Sequence, residues 1–287
     1  MALNSATNAT ELTAEQVSTI LVQPLAQKSV FLSSGARIID TAGPLRMPKG
    51  ANPTTPDWYG QNEQIVDEDP TFDEVSLLPS TMKSVKVLTR YSNELARQSV
   101  VSLDAALRDR LVADVTNVVD AQLLGATGDG VTMPMGLFAP GYAGQTIAVS
   151  GKLGLDQMID ADGLALAANV ELESLSWVMN PADFTQLRKI SEGTASARKL
   201  FEPDATKPGA VLFAGHKVIV SKHVPAGNVA LVDFSQIVVA RDVAPSVKIL
   251  DQTFGDFDQQ AVRVVTRLDA KPTNDDAVIT LTGIKWA

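Results

Sequence analysis

A long apolar repeat between Ser102 and Gly125 constrains the fold of this chain more than any other feature. Its apolar residues recur at spacings of three or four, which is the period of one face of an α-helix. Ser102 can cap the start of such a helix, and Gly125 can end it. About 22 residues at 1.5 Å each predict a rod of roughly 33 Å, long enough to organise a flat subunit. The repeat consists of Leu103, Leu107, Leu111, Val115 and either Val118 or Val119.

The composition excludes several kinds of chemistry. The 287-residue chain has no cysteine, which excludes disulfides, thiolate zinc sites and cysteine nucleophiles together. Only two histidines are present, His216 and His223, which argues against a zinc site, and we expect no cofactor. The net charge of −9 argues against an outward-facing nucleic-acid binder, because phosphate contacts need clustered Lys and Arg. An acidic chain does suit a wall that encloses DNA without gripping it.

The sequence gives no indication of a membrane partner. No run approaches the roughly 18 apolar residues of a membrane span. The first residues have neither the basic start nor the apolar centre of a signal peptide. We therefore expect a chain that is made and kept in a cytoplasm.

The segment between Lys49 and Lys83 is acidic and contains no Lys or Arg. Prolines in residues 43–56 predict a long irregular or extended connector, and residues 83–89 alternate as a strand does. We interpret the whole as a long two-stranded excursion, which has too little apolar face to be stable alone. A solvated loop would explain the charge equally well, but Trp58 and Tyr59 favour an intermolecular contact. The acids are Asp57, Glu63, Asp67, Glu68, Asp69, Asp73 and Glu74.

The remaining pattern mixes helices and strands. A capping pattern at Thr13 predicts a short helix carrying Val17, Ile20 and Leu21. Further helices are predicted at residues 155–168 and from Pro181 onward. Strands are predicted at residues 175–179, 217–221, 229–232, 236–240, 246–250, 261–268 and 277–281.

Catalytic motifs are weak throughout. Ser221 and His223 could form a hydrolase pair, but neither lies in a nucleophile-elbow context, so surface or strand-edge polar residues are the favoured interpretation. The glycines at residues 125–130 follow a helix instead of preceding one, so they predict a helix stop and turn and not a phosphate loop. The acidic run cannot supply the two differently tuned carboxylates of a glycosidase.

Several short motifs nevertheless occur in an informative order. They are Leu21-Val-Gln-Pro-Leu-Ala-Gln-Lys-Ser-Val-Phe-Leu, Trp58-Tyr-Gly-Gln-Asn-Glu, Pro70-Thr-Phe-Asp-Glu-Val, Ser92-Asn-Glu-Leu-Ala-Arg-Gln-Ser, Gly128-Asp-Gly-Val-Thr-Met-Pro-Met-Gly-Leu, Trp177-Val-Met-Asn-Pro-Ala-Asp-Phe, Gly215-His-Lys-Val-Ile-Val-Ser, Pro225-Ala-Gly and Asp233-Phe-Ser-Gln. As an ordered set, the sequence resembles the major capsid proteins of tailed double-stranded DNA bacteriophages, which share the Hong Kong phage-type capsid fold.

The resemblance implies an α+β fold with four parts. They are an N-terminal arm at residues 1–50, an extended β-hairpin loop at 51–90, a peripheral domain with the spine helix at 91–130 and 251–287, and an axial domain at 131–250. It implies a structural protein and not an enzyme, one that assembles with itself into pentamers and hexamers of an icosahedral shell around DNA. A portal is an expected partner, and a scaffolding or cement protein is a further candidate. The shell would be assembled in the cytoplasm of a bacterial host and would become part of the virion. An encapsulin-like nanocompartment with a protein cargo is the alternative.

The resemblance also suggests where subunits touch. Contacts are expected from the extended loop through Trp58, Tyr59, Glu63, Asp67, Glu68 and Asp69, and from the arm through Val17, Ile20 and Leu21. Candidate basic partners for the acidic loop are Arg90, Arg97, Arg108 and Arg110 near the spine, and Arg188, Lys189, Arg198 and Lys199 in the axial domain. Some relatives join a loop lysine to a peripheral asparagine, but here residues 50–82 contain no lysine and the late strand has Gln259, Gln260 and Arg267. We therefore expect noncovalent contacts.

Overall fold

The computed structural model describes residues 29–41, 43–50, 58–62, 64, 72–78, 83–98, 103–191, 212–213 and 215–286. The helices in these ranges are α1 (Asn93–Gln98), α2 (Leu103–Leu123), α3 (Leu155–Ala167) and α4 (Pro181–Leu187). The strands are β1 (Arg37–Asp40), β2 (Leu45–Gly50), β3 (Phe72–Leu77), β4 (Ser84–Ser92), β5 (Gln145–Gly151), β6 (Leu175–Met179), β7 (Leu212–Phe213), β8 (His216–Val220), β9 (Val229–Asp233), β10 (Ile237–Phe254), β11 (Gln259–Pro272) and β12 (Val278–Ile284). The α+β class is confirmed.

The predicted spine helix is present and packs on a four-stranded sheet. The strands of this sheet lie in the order β1-β10-β11-β4, with β1 parallel to β10 and the other pairs antiparallel. The buried apolar residues of α2 recur every four positions, at Leu111, Val115, Val119 and Leu123. Val118 is 52% exposed, so Val119 is the residue that continues the apolar face. Helix α2 therefore covers one face of the sheet, through the side chains that it shares with β4 and β11 in one core.

A second, six-stranded sheet has apolar residues on both faces. Its order is β5-β12-β9-β6-β8-β7, and every residue of β6 and β9 is buried. Successive residues of β9 alternate between two cores. Ala230 and Val232 join the core that contains α2, whereas Val229 and Leu231 join the core under α3. The two sheets thus share one core, and the six-stranded sheet has a second core of its own.

The acidic excursion is organised differently from the prediction. Strand β2 lies inside the predicted irregular connector and pairs antiparallel with β3, with Leu45 opposite Leu77. The predicted return strand, β4, pairs with β11 in the four-stranded sheet, so the expected two-stranded excursion that included residues 83–89 is wrong. The physical reason is that Val85, Val87 and Tyr91 of β4 form an apolar face, which packs into the core beside α2.

The structure also corrects the prediction for the residues of strand β10. The predicted strands at residues 236–240 and 246–250 form one strand of 18 residues. Its pairing with β11 shifts register between Arg241 and Val243 and again between Val243 and Ser246. Such bulges accommodate Pro245, which cannot donate a hydrogen bond to a regular ladder. The predicted helix near Thr13 lies outside the described residues, and the division into four parts stays a prediction.

Candidate assembly surfaces

The base of the acidic excursion is fixed by a buried ion pair. Lys83 Nζ lies 2.7 Å from Asp269 Oδ2, and both side chains are about 1% exposed. The same carboxylate accepts hydrogen bonds from the backbone amides of Leu78, at 3.2 Å, and Ala270, at 3.1 Å. Leu77 and Leu78 pack on residues of β10. The segment between β3 and β4, where the chain returns to the four-stranded sheet, is therefore held at both of its ends by one carboxylate.

The excursion itself presents aromatic side chains to solvent. Trp58 is 98% exposed and Tyr59 is 38% exposed. A fully exposed tryptophan buries almost no apolar surface within the subunit, which is typical of an interface anchor. The other predicted loop contacts, Glu63, Asp67, Glu68 and Asp69, lie outside the described residues.

The root of the arm is anchored on the spine helix by Asp120, a residue that the sequence prediction missed. Its buried carboxylate accepts hydrogen bonds from the Ser29 hydroxyl at 2.5 Å and from the Val30 amide at 2.8 Å. The Phe31 amide donates to the same carboxylate at 3.4 Å, and the Phe31 ring packs edge-on against Phe234. The sequence did contain a signal for this contact, because Asp120 directly follows Val119 of the apolar face of α2. A carboxylate buried there needs hydrogen-bond donors from another part of the chain. The predicted arm contacts Val17, Ile20 and Leu21 lie outside the described residues.

The candidate basic residues do not form one cluster. Arg90 is exposed on β4 with its guanidinium 3.8 Å from the centre of the Phe254 ring. Arg110 pairs with Asp114 one helical turn away, at 3.0 Å. Arg97 is exposed on α1, and Arg188 and Lys189 are exposed at the end of α4. The side chain of Arg108, and Arg198 and Lys199, lie outside the described residues.

The glycine-rich segment after α2 is a helix stop and a turn, as predicted. Asp129 accepts hydrogen bonds from the Thr132 hydroxyl and from the backbone amides of Val131, Thr132 and Met133. These donors, the Thr132 hydroxyl foremost, hold the pKa of the Asp129 carboxyl well below its usual range. At Gly128, with φ +131°, a Cβ atom would come within 2.2 Å of the Pro134 carbonyl oxygen. The Asp129 carboxylate thus accepts the hydrogen bonds that these donors could otherwise give to a phosphate group.

The candidate hydrolase pair is not assembled. The Ser221 hydroxyl oxygen accepts a hydrogen bond from the backbone amide of His223 at 3.3 Å, and Ser221 is buried. The His223 Nε2 atom has no hydrogen-bond partner among the described residues, and burial lowers the pKa of its imidazole. The other histidine, His216, contacts Asp162 at 3.2 Å. A serine nucleophile must donate its hydroxyl proton to an imidazole, and the described residues show no hydrogen bond from the Ser221 hydroxyl to the His223 ring.

The described residues contain neither a cluster of metal ligands nor a helix that could span a membrane. No group of three His, Asp or Glu side chains in these ranges could hold a metal ion. Among the helices in the part of the chain that the structure describes, none has the length and apolar character of a membrane span.

The comparisons with known proteins point to one family. The sequence matches the model of the phage capsid family over residues 10–283. A comparison with curated protein sequences found no significant match.

Solved structures from phages and from a GTA particle have a similar fold. A structure from Microbacterium phage Oxtober96 has a TM-score of 0.75 at 17% identity, covering 98% of this chain and 99% of that one. The capsid of the native GTA particle has a TM-score of 0.74 at 18% identity, covering 99% and 100%. The Mycobacterium phage Cain structure has a TM-score of 0.71 at 18% identity, covering 99% of each chain. The encapsulin-like alternative is not favoured. The chain therefore belongs to the phage capsid family, and it is a structural protein of a capsid shell and not an enzyme.

Proposed function

We propose that the chain is the major shell subunit of a phage-type particle, in which rings of five and six copies form an icosahedral shell around double-stranded DNA. The family match over residues 10–283 carries this proposal. The similarity over 99% of the chain to the capsid of the native GTA particle, which was computed with C5 symmetry, supports rings of copies. Head-to-tail contacts of this kind close into rings when the rotation between neighbours fits.

The contacts that join the copies come from segments that leave the subunit. The arm leaves at the Asp120 anchor and carries Val17, Ile20 and Leu21, which bury their apolar side chains on a neighbour. The loop returns to the subunit at the Lys83–Asp269 pair, and it carries Trp58 and Tyr59 with the acids Glu63, Asp67, Glu68 and Asp69. Each contact is individually weak, but every subunit makes several, so mass action stabilises the closed shell.

The other parts of the particle follow from this role. Membership of the capsid family places the chain in the virion. A portal admits the DNA, and a scaffolding or cement protein assists assembly in the cytoplasm of the bacterial host. The shell encloses DNA without sequence-specific binding, which agrees with the net charge of −9. The division into arm, loop, peripheral domain and axial domain stays part of this proposal, except that β4 belongs with the four-stranded sheet and not with the loop.

The test is the mass and appearance of the purified protein. Light scattering and negative-stain microscopy at moderate salt should show closed particles of megadalton mass. A subunit that stays at 30.5 kDa, alone and after co-expression with the neighbouring genes of its own genome, would contradict the proposal. Shells that hold a specific protein cargo and never DNA would indicate a nanocompartment instead.

A further inference from the structure

The turn between β8 and β9, residues 221–228, is held against the start of α4. The Gly227 amide donates a hydrogen bond to the buried Asp183 carboxylate at 2.9 Å. The Val224 carbonyl accepts a hydrogen bond from the Asn180 side-chain amide at 2.7 Å. The turn is therefore fixed at two points, by a residue in the first turn of α4 and by the residue before this helix.

The same turn packs on the arm root, residues 29–31. The Val224 side chain is 1% exposed and lies in one core with Phe31 and with Val119 of α2. Asp120, the next residue of α2, accepts the hydrogen bonds that anchor the arm root. A movement of the turn that withdrew Val224 would remove part of the packing under Phe31 and would loosen the anchored arm.

His223 lies in this turn directly before Val224. Its backbone amide donates to the Ser221 hydroxyl oxygen at 3.3 Å. Its ring atom Nε2 is buried and has no hydrogen-bond partner among the described residues. In a neutral imidazole this nitrogen can be the one without a proton, but in the imidazolium both nitrogens are donors. Protonation would thus place a charged N–H group without an acceptor at a point that water does not reach.

Two charged groups act on this imidazole. They are Lys222, the preceding residue of the turn, and Asp120 of α2. Burial lowers the pKa of His223 most, Lys222 lowers it further, and the charge of Asp120 raises it by less than the other two lower it. Asp183, the other acid that contacts the turn, is satisfied by hydrogen-bond donors at the far end of the turn. The buried position therefore favours the neutral ring.

The direction of the pH dependence follows from this preference. A histidine whose pKa is lowered in the folded state stabilises that state fully above the ordinary pKa of about 6.5, and this contribution is lost as the pH falls. Acid therefore favours a state in which the His223 ring has left its buried position. If the ring leaves, the turn moves with it and draws Val224 from the core. If the charged ring stays, it attracts the Asp120 carboxylate away from its donors in residues 29–31. Both responses loosen the arm root.

We propose that His223 is an acid-sensitive switch for the N-terminal arm, which keeps the arm root anchored while its imidazole is neutral and releases it on protonation. The observation that carries the proposal is a buried ring nitrogen without a partner, in a turn that shares a core with the arm root. The chain has one other histidine, His216, and histidine is the side chain whose ordinary pKa lies between pH 5 and 8. The switch belongs to the single subunit, so its failure would leave the proposed function untouched.

The first experiment measures the pKa of His223 in the unassembled subunit, by NMR of the two histidine rings between about pH 5 and pH 8. His223→Asn removes one signal and so assigns it. The pKa of His223 should lie below about 6.5. Asp120→Asn should lower this pKa further, because a negative charge is lost, and Lys222→Gln should raise it, because a positive charge is lost. An ordinary pKa, or one that does not respond to Asp120→Asn, would overturn the proposal.

The second experiment measures the arm root itself. Trypsin cleavage after Lys28 is timed at about pH 5.5 and pH 7.5, and each rate is divided by that of an unstructured reference peptide at the same pH. The unaltered chain should be cut severalfold faster at the lower pH, whereas His223→Asn should show no acid response. The matched control, His216→Asn, removes the other histidine and should keep the response of the unaltered chain.

Circular dichroism at both pH values shows whether each variant is folded, and His223→Gln replaces His223→Asn if the shorter side chain disturbs the turn. An undiminished acid response in a folded variant at position 223 would contradict the proposal. Loss of the response in His216→Asn would assign the switch to the contact between His216 and Asp162 instead. A lowered pKa of His223 together with cleavage that does not depend on pH would mean that the ring titrates without moving the arm, and it would also overturn the proposal.

Discussion

The two large sheets of this subunit differ in how many of their faces are covered. Strands β6 and β9 of the six-stranded sheet are buried on both faces and are almost continuously apolar, as in Val-Ala-Leu-Val-Asp. Strand β4 of the four-stranded sheet alternates apolar and basic residues, because only α2 covers it. The comparison teaches that both sheets contribute buried cores, but that the four-stranded sheet also leaves the outward residues of β4 exposed as a surface. Substitutions of buried residues in either sheet should therefore affect folding, whereas substitutions of the exposed residues of β4 should affect assembly.

The largest expected effect concerns the buried ion pair at the base of the loop. Asp269→Ala leaves the Lys83 ammonium buried without a partner, which should cost about 3–5 kcal/mol of unfolding free energy. Denaturant unfolding of the subunit measures this loss of free energy. The matched control replaces both residues with apolar ones, Lys83→Met with Asp269→Leu, and should cost much less. Equal losses in the two variants would mean that the pair is not isolated from water.

A slightly smaller effect is expected in the centre of the six-stranded sheet. Leu231→Ala removes a fully buried side chain from the core under α3, which should lower the unfolding free energy by about 2–5 kcal/mol. The chemical-denaturation midpoint should fall with an unchanged slope. A volume-conserving change, Leu231→Met, is the control and should cost less than about 1.5 kcal/mol. A small loss for Leu231→Ala would show that the two faces of this sheet are not packed as described.

An intermediate effect is expected at the root of the arm. Asp120→Ala deprives the Ser29 hydroxyl and the Val30 amide of their acceptor, which should cost about 1–3 kcal/mol. Limited proteolysis should also cut near residue 29 faster, because the anchored turn is released. Asp120→Asn keeps one acceptor oxygen, so its loss of unfolding free energy should be smaller than that of Asp120→Ala. Unchanged proteolysis in both variants would mean that Asp120 does not hold the arm.

The smallest effect on folding is expected from a substitution on the exposed face of strand β4. Leu88→Ala removes an exposed side chain and should change the unfolding free energy by no more than about 0.5 kcal/mol. Its effect on shell yield should exceed that of Val131→Ala, a control with a comparably exposed apolar side chain. A large loss of stability in Leu88→Ala would remove the contrast between the two sheets.

The sequence predicted the elements whose patterns are local. The period of Leu111, Val115 and Val119 defined α2 within two residues of its ends. The apolar runs of β6 and β9 were found because strands buried on both faces are apolar throughout. Family resemblance then gave the class of fold, since its motifs lie in order along the whole chain.

The features that the sequence could not predict depend on contacts between residues that lie far apart in the chain. The alternation of β4 fits a hairpin and a sheet strand equally well, and only the pairing with β11 decides between them. The sequence also could not show that Lys86, Lys248 and Arg263 are neighbours, because only the strand register brings these residues together. Asp120 was missed because its donors lie about 90 residues away. The acids of the loop were visible in the sequence, whereas the arrangement of exposed cations on the four-stranded sheet required the strand register.

The positions of β11 and β12 have a consequence for biosynthesis. Strand β11 lies between β10 and β4, and β12 lies between β5 and β9, so both sheets are completed by residues 259–284. Contacts between distant parts of a chain form late in folding, after the cost of loop closure is met. A ribosome that stalls before residue 259 would release a product with neither sheet closed, exposing apolar edges to chaperones and proteases. Interrupted translation products would thus be removed before assembly, so that shells are built from subunits whose synthesis has passed both closing strands.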